Sequence, residues 1–220
     1  MKIYISIFII FIISSCVEKT TESNNKNFDR LSSEDLYRRQ TLSLKLSDSL
    51  KEDIEIYITK EKDTFYNQYK YFKGNIIDTL KSNYYDLKIT KTNKKNIYKG
   101  IITLHSLYEN LKIDKNNRRE IQFGYCVQNK DSIQLIYLSS KTNNTIEFEY
   151  ENYYNNKLQG ILYQLVERDT IVNNEEMVNM NRIHLLVDND TVTDNLFLES
   201  YEAPKTKKFN FDKGNFKLNK

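Results

Sequence analysis

Glu147, Glu149 and Glu151 place three carboxylates at alternate positions, interleaved with Ile146, Phe148 and Tyr150. In an extended strand they share one face, each about 6.5 Å from the next by strand rise. Carboxylates about 5 to 9 Å apart can cleave a glycosidic bond. Catalytic pairs, however, usually come from different strands whose environments split their pKa values, and the same spacing suits a solvated strand face. The two histidines, His105 and His184, stand in Ile101-Ile-Thr-Leu-His105 and Arg182-Ile-His-Leu-Leu186. Each could act as a general base or fill a sheet position with a satisfied hydrogen bond. Two histidines fall short of the three or four ligands of a zinc site, and no metal or cofactor is expected. In Ile121-Gln-Phe-Gly-Tyr-Cys-Val127 alternation sets Ile121, Phe123, Tyr125 and Val127 on one face and Cys126 on the other. That is the expectation for a small packed strand residue rather than a nucleophile. No residue is assigned a catalytic role.

Asp188-Asn-Asp-Thr-Val-Thr-Asp194, with Glu199 at the twelfth position, resembles a calcium loop. Val192 occupies a ligand position and Thr193 the place of the obligatory glycine, so a β-turn is expected instead. A second recurrence is Asp, then Ser or Thr, then an aliphatic residue, at Asp48-Ser-Leu50, Asp78-Thr-Leu80, Asp131-Ser-Ile133, Asp169-Thr-Ile171 and Asp190-Thr-Val192. This resembles the O-glycosylation motif of periplasmic and surface proteins in Bacteroidota. The resemblance implies Ser49, Thr79, Ser132, Thr170 and Thr191 as acceptors. Asp-Thr entering a strand is also ordinary turn chemistry, because Asp bonds its own backbone two residues on. Tyrosine is abundant, 17 residues against 11 Phe and no Trp, and dense at Tyr66, Tyr69 and Tyr71, at Tyr84-Tyr85 and at Tyr150 to Tyr154. An apolar ring with a hydroxyl suits recognition of glycan or protein surfaces, as it suits half-buried strand faces.

The elements that must position these residues begin with Met1, Lys2 and the apolar run Ile3 to Ile13. A cation followed by about ten apolar residues is the pattern of a secretory signal, and it is short of the about 20 needed to span a bilayer. Ile13-Ser-Ser-Cys16 resembles the lipobox of bacterial lipoproteins, with Ile where Leu is more usual. The resemblance implies a signal peptide over 1–15, cleavage before Cys16, acylation of Cys16 with chains such as palmitate, and attachment to a membrane. Residues 16–30 are polar and aperiodic, as a flexible tether would be.

A single β-rich domain is expected over 31–220. Ser33 as a cap, Glu34 and Asp35 near a positive helix end, and Leu42, Leu46 and Leu50 at spacings of four predict one amphipathic helix over about 33–51. From Ile54 the text alternates β-branched and aromatic residues with polar ones, broken by Asn, Asp, Lys and Gly clusters. Strands are predicted at Ile54–Ile58, Phe65–Phe72, Asn75–Leu80, Tyr84–Thr90, Ile97–Leu107, Glu120–Gln128, Ser132–Ser139, Thr145–Glu151, Leu158–Glu167, Val178–Val187 and Thr191–Ser200, with a last pair at Phe209–Phe211 and Phe216–Leu218. Short connections and the absence of intervening helices predict an all-β, antiparallel meander curled into a sandwich or barrel, since a flat sheet of that size would leave edges and a face bare.

Lys+Arg 33 against Asp+Glu 30 gives a net charge of +3, too weak a basic signature for nucleic acid. If Cys16 carries lipid, Cys126 has no partner within the chain and the core stands without a disulfide. The Asn-, Lys-, Ile- and Tyr-rich composition resembles that of Bacteroidota envelope lipoproteins. Together these point to the cell envelope, at the inner or outer membrane and facing periplasm or exterior. The expected role is a non-catalytic binding or accessory module for an envelope protein, a glycan or a small apolar ligand. The rival expectation is an envelope hydrolase acting on glycans, lipids or peptides, with Glu147, Glu149 or His184 as candidates. A deep pocket lined by carboxylates from separate strands would favour the hydrolase. An apolar barrel interior would favour a carrier, and a flat tyrosine-rich face a binding module.

Overall fold

A computed structural model describes residues 37–58, 64–130, 132–153 and 155–198. The expected signal segment, Cys16, the expected tether, the first residues of the expected helix and the expected pair Phe209–Phe211 and Phe216–Leu218 lie outside the described residues.

The strands are β1 (Tyr37–Lys45), β2 (Leu50–Ile58), β3 (Thr64–Lys73), β4 (Ile76–Ile77), β5 (Tyr84–Lys91), β6 (Ile97–His105), β7 (Asn117–Gln128), β8 (Ile133–Ser140), β9 (Thr145–Glu151), β10 (Gln159–Val172), β11 (Glu175–Asp188) and β12 (Val192–Thr193). They form three sheets, in the orders β12-β1-β2-β3-β4, β5-β6-β9 and β11-β10-β7-β8, and every named pair is antiparallel. Single bridges at Tyr69–Asn83 and Gln128–Asn152 carry the pairing from one sheet to the next. The fold is all-β, an antiparallel meander that curls into a half-closed barrel, as the alternation predicts.

Among the described residues of the helix expected over about 33–51, none is helical. Residues 37–45 and 50–58 are instead the hairpin β1–β2, in register from Arg38–Ile58 to Lys45–Lys51. A spacing of four is two strand periods as well as one helical turn. Leu44, at the midpoint of Thr41-Leu-Ser-Leu-Lys-Leu46, settles it for the strand. Ser47, Asp48 and Ser49 then form the turn, closed by Leu46 N–H to Leu50 O at 2.9 Å, as residues whose side chains compete with the helical backbone tend to do. Two expected strands are shorter than predicted. In 75–80 only Ile76 and Ile77 pair, because the Asp78 carboxylate accepts from Leu80 N–H and starts a 3-10 turn over Thr79–Lys81. Among the described residues of 191–200 only Val192 and Thr193 pair, for a reason found in the buried centre below. Four strands are clearly longer: β2 and β7 begin earlier, at Leu50 and Asn117, and β10 and β11 run on to Asn173 and Asn174, both at positive φ, which gives a two-residue hairpin turn.

The main core lies between two sheets. Ile102, Leu104, Ile146, Phe148 and Tyr150 on β6 and β9 face Ile121, Phe123, Tyr125, Leu162 and Leu185 on β7, β10 and β11. Phe148 is its centre, with ring centroids 4.9 Å from Phe123 and 5.1 Å from Tyr125. It lies against the backbone of Gly100, where a Cβ would meet its ring carbon Cζ at 2.1 Å. A smaller cluster of Tyr37, Tyr57, Leu186 and Leu198 joins the five-stranded sheet to β11.

Candidate functional site

The register of β2 against β3 breaks once. Ile54 pairs with Tyr69 and Ile56 with Tyr66, so Asn67 and Gln68 face the single residue Glu55. Such bulges re-aim side chains. Here the Asn67 amide donates to Glu55 Oε1 at 2.8 Å and the Gln68 amide to Glu55 Oε2 at 3.1 Å. The same two side chains also tie sheets together. Asn67 exchanges hydrogen bonds with the Leu186 backbone at 2.8 and 2.7 Å, and Gln68 Oε1 accepts from Tyr85 N–H at 3.0 Å. One bulge thus binds β2, β11 and β5 around a buried carboxylate.

Arg39, projecting from β1, lies 3.7 Å from Glu55 through Nε and donates through a terminal nitrogen to the carbonyl of Asp188. Burial works against the Arg39 charge, but Glu55, Tyr85, Tyr57 and Asp188 outweigh it and hold its pKa above the ordinary value. The Asp188 carboxylate closes the cluster from below. Its Oδ1 accepts from Thr193 at 2.6 Å, and its Oδ2 accepts from Tyr57 at 2.7 Å and Asn195 at 2.9 Å. Burial pushes its pKa up to about 6, against the pull of these donors. These bonds also explain the short β12: Thr193 and Asn195 turn inward to Asp188, and Asn195 Oδ1 accepts from Phe197 N–H at 3.0 Å, so the chain leaves the ladder.

Above this centre a cavity of about 480 Å³ is lined by Arg39, Glu55, Gln68, Tyr85, Asn156 and Asn189, with Leu87 and Ile89 as an apolar wall. Tyr85 is 6 % exposed, and its hydroxyl is sealed from solvent without an acceptor, with the Asp188 backbone amide beside it. Burial, with Glu55 next, raises its pKa, so the phenol stays protonated and offers a donor. Such an orphaned buried hydroxyl costs about 1 to 3 kcal/mol. No protein family, curated protein or solved structure matches the chain.

The residues singled out from sequence lie elsewhere. Glu147, Glu149 and Glu151 are exposed on the outer face of β9, and Glu149 pairs with Lys99 at 3.3 Å. His105 stacks on Tyr84 at 4.5 Å between Asp86 and Glu109. His184 leans on Tyr163 at 4.8 Å, and burial and Arg182 lower its pKa. Cys126 is buried, and burial, with Asp188 next, pushes its thiol up to about 11, which suppresses the thiolate. Of the calcium-loop residues, Asp188 and Thr193 are committed to each other, and Glu199 lies outside the described residues. Ser49, Ser132, Thr170 and Thr191 are exposed and Thr79 is half-buried. The dense tyrosines divide: Tyr84, Tyr85 and Tyr150 are buried, whereas Tyr66 and Tyr153 project outward.

Arg39, Glu55, Asn67 and Gln68 carried no sequence signal that singled them out. Glu55 and Tyr57 share a strand face, and a carboxylate on the same face as a core aromatic was the one available hint. Tyr57 meets Asp188 across 131 residues of chain.

Proposed function

We propose that this chain is an envelope lipoprotein, anchored through lipid on Cys16, whose β-rich domain is a non-catalytic module that binds the hydroxyl-rich end of a glycan. The observation that carries the binding reading is the cavity itself, lined by a carboxylate, a guanidinium and three amide side chains. Alternating donors and acceptors beside an aliphatic wall suit sugar hydroxyls and C–H faces. A volume of about 480 Å³ lies within the roughly 300 to 1,000 Å³ of ligand sites. The Arg39 charge is answered by Glu55 and Asp188, which disfavours an anionic ligand. The anchor rests on the leader: the short apolar run and Ile-Ser-Ser before Cys16.

The test is titration of the full chain with a panel of neutral mono- and disaccharides, followed by amide NMR shifts. Binding moves signals of Arg39, Tyr85, Leu87 and Ile89. Asn156→Ala weakens it by roughly 3- to 10-fold, the worth of one neutral hydrogen bond, with little loss of folding stability, because Asn156 is exposed. If no saccharide moves those signals, the ligand reading is wrong. The anchor is checked separately by mass spectrometry of membrane-extracted protein, which should find Cys16 as the first residue, carrying acyl chains. An unmodified Cys16 or a retained leader refutes it.

Glu55 and Asp188 lining one cavity from separate strands favours a second reading, an envelope hydrolase. Against it, every oxygen of both carboxylates already accepts a hydrogen bond. Release of reducing ends from a glycan, abolished by Glu55→Gln, would establish the hydrolase.

A further inference from the structure

The β10–β11 hairpin outgrows its sheet. β7 pairs with β10 only from Gly160 to Arg168, and beyond that point a two-stranded ribbon continues to Asn173 and Asn174. β11 is the edge of its sheet. Apart from the half-buried Asn181 and Ile183, its residues from Glu175 to His184 are exposed. Met177, Val178 and Met180 are each about half exposed, with Ile171 and Val172 beside them on β10.

Sheet edges are normally guarded by charged residues, lysine above all, or by proline, a bulge or extreme shortness. Glu175–His184 contains no lysine or proline, and its pairing with β10 runs through all fourteen positions without a break in register. The edge is also self-complementary. An antiparallel copy centred on Asn179 sets Glu176 opposite Arg182, Val178 opposite Met180 and Met177 opposite Asn181, each pair occurring twice by symmetry. Moving the centre to Asn181's neighbour Met180 sets Glu176 against His184 and Val178 against Arg182. Moving it to Val178 sets Glu176 against Met180. The Asn179 centre meets Glu176 with Arg182 and Val178 with Met180, whereas the Met180 centre pairs Met177 with Ile183 but sets Val178 against Arg182; opposite charges and apolar pairs are what stabilise antiparallel ladders.

We infer that β11 pairs with β11 of a second copy about a two-fold axis at Asn179, joining two four-stranded sheets into one continuous sheet. The occupant of this edge is a second copy because an isologous contact requires one patch to complement itself, as Glu176 and Arg182 do here.

The test is oxidative cross-linking of full-length Asn179→Cys in intact cells, with the parental chain and Ser139→Cys on the exposed face of β8 as controls. Asn179 meets its own counterpart at the axis, where directly opposed Cβ atoms lie within about 5.5 Å. A band of twice the chain mass is expected from Asn179→Cys alone. Adding Arg182→Glu opposes like charges and lowers its yield at least several-fold, and adding Glu176→Arg as well restores it. All three substitutions lie on an exposed edge, and an unchanged urea midpoint for each variant verifies the fold. No dimer band, a band equal to that of Ser139→Cys, a cross-link to a different protein, or a yield indifferent to the charge swap each overturns the inference.

Discussion

Asp188→Ala should lower folding stability by about 4 kcal/mol, the summed cost of several orphaned buried donors. Among the described residues its carboxylate is the only acceptor of the Tyr57 and Thr193 hydroxyls, and it also holds the Asn195 amide, at 2.6 to 2.9 Å. All four residues are buried, at 3 % exposure or less. Truncation therefore leaves these donors unpaired where water does not reach, and it unpins the chain from Val192 to Leu198. Urea unfolding measures the loss, and a cost under about 1 kcal/mol would mean that the cluster relaxes without Asp188.

The carboxamide isostere isolates the charge. Asp188 has its folded pKa raised to about 6 by burial, above the about 3.9 of an unfolded aspartate. The folded state then holds the proton more tightly than the unfolded one. Stability from this group is full below the unfolded value and is lost as pH rises through 6. Between pH 4.5 and 7 that amounts to about 2 kcal/mol. Asp188→Asn, which cannot ionise, should therefore cost about 2 kcal/mol less at pH 7 than at pH 4.5. Asp53, Asp114 and Asp169, whose pKa values are lowered, act oppositely, as stability lost toward low pH. Comparing wild type with Asp188→Asn at each pH cancels them. An equal cost at both pH values would place the folded pKa of Asp188 near that of the unfolded chain.

The second large effect belongs to Gly100. Gly100→Val should destabilise by about 3 kcal/mol, the upper part of the overpacking range. A Cβ there falls 2.1 Å from Phe148 Cζ, and the ring cannot withdraw because Phe123, Tyr125 and Tyr150 surround it. In a domain of this size that is a melting shift of roughly 6 to 12 °C. The clash is specific to one ring, so in a Phe148→Leu background the added cost of Gly100→Val should fall by at least about 1 kcal/mol. Strict additivity of the two changes would show that the valine is resisted by the backbone and not by Phe148.

Particular elements show how far the sequence carries. Alternation alone puts Ile121, Phe123 and Tyr125 into the core, turns Glu147, Glu149 and Glu151 outward and sets Cys126 on the opposite face of β7, because strand period two is a local property of the backbone. The same locality misled at Leu42, Leu46 and Leu50, where a spacing of four satisfies helix and strand equally, and the pairing of Thr41, Leu42 and Leu44 with Glu55, Ile54 and Glu52 across the hairpin selects the strand.

The sequence by itself thus determined an all-β antiparallel meander and the sidedness of its central strands. The tertiary structure alone decided where the polar centre lies. Arg39, Glu55, Gln68, Tyr85 and Asp188 come from four strands of the first half of the chain and one near its end, with no fixed spacing among them. Their meeting depends on one bulge at Asn67 and Gln68 and on the curl that brings β11 against β3. A bulge is a difference in register between two strands, and neither strand's sequence contains it on its own.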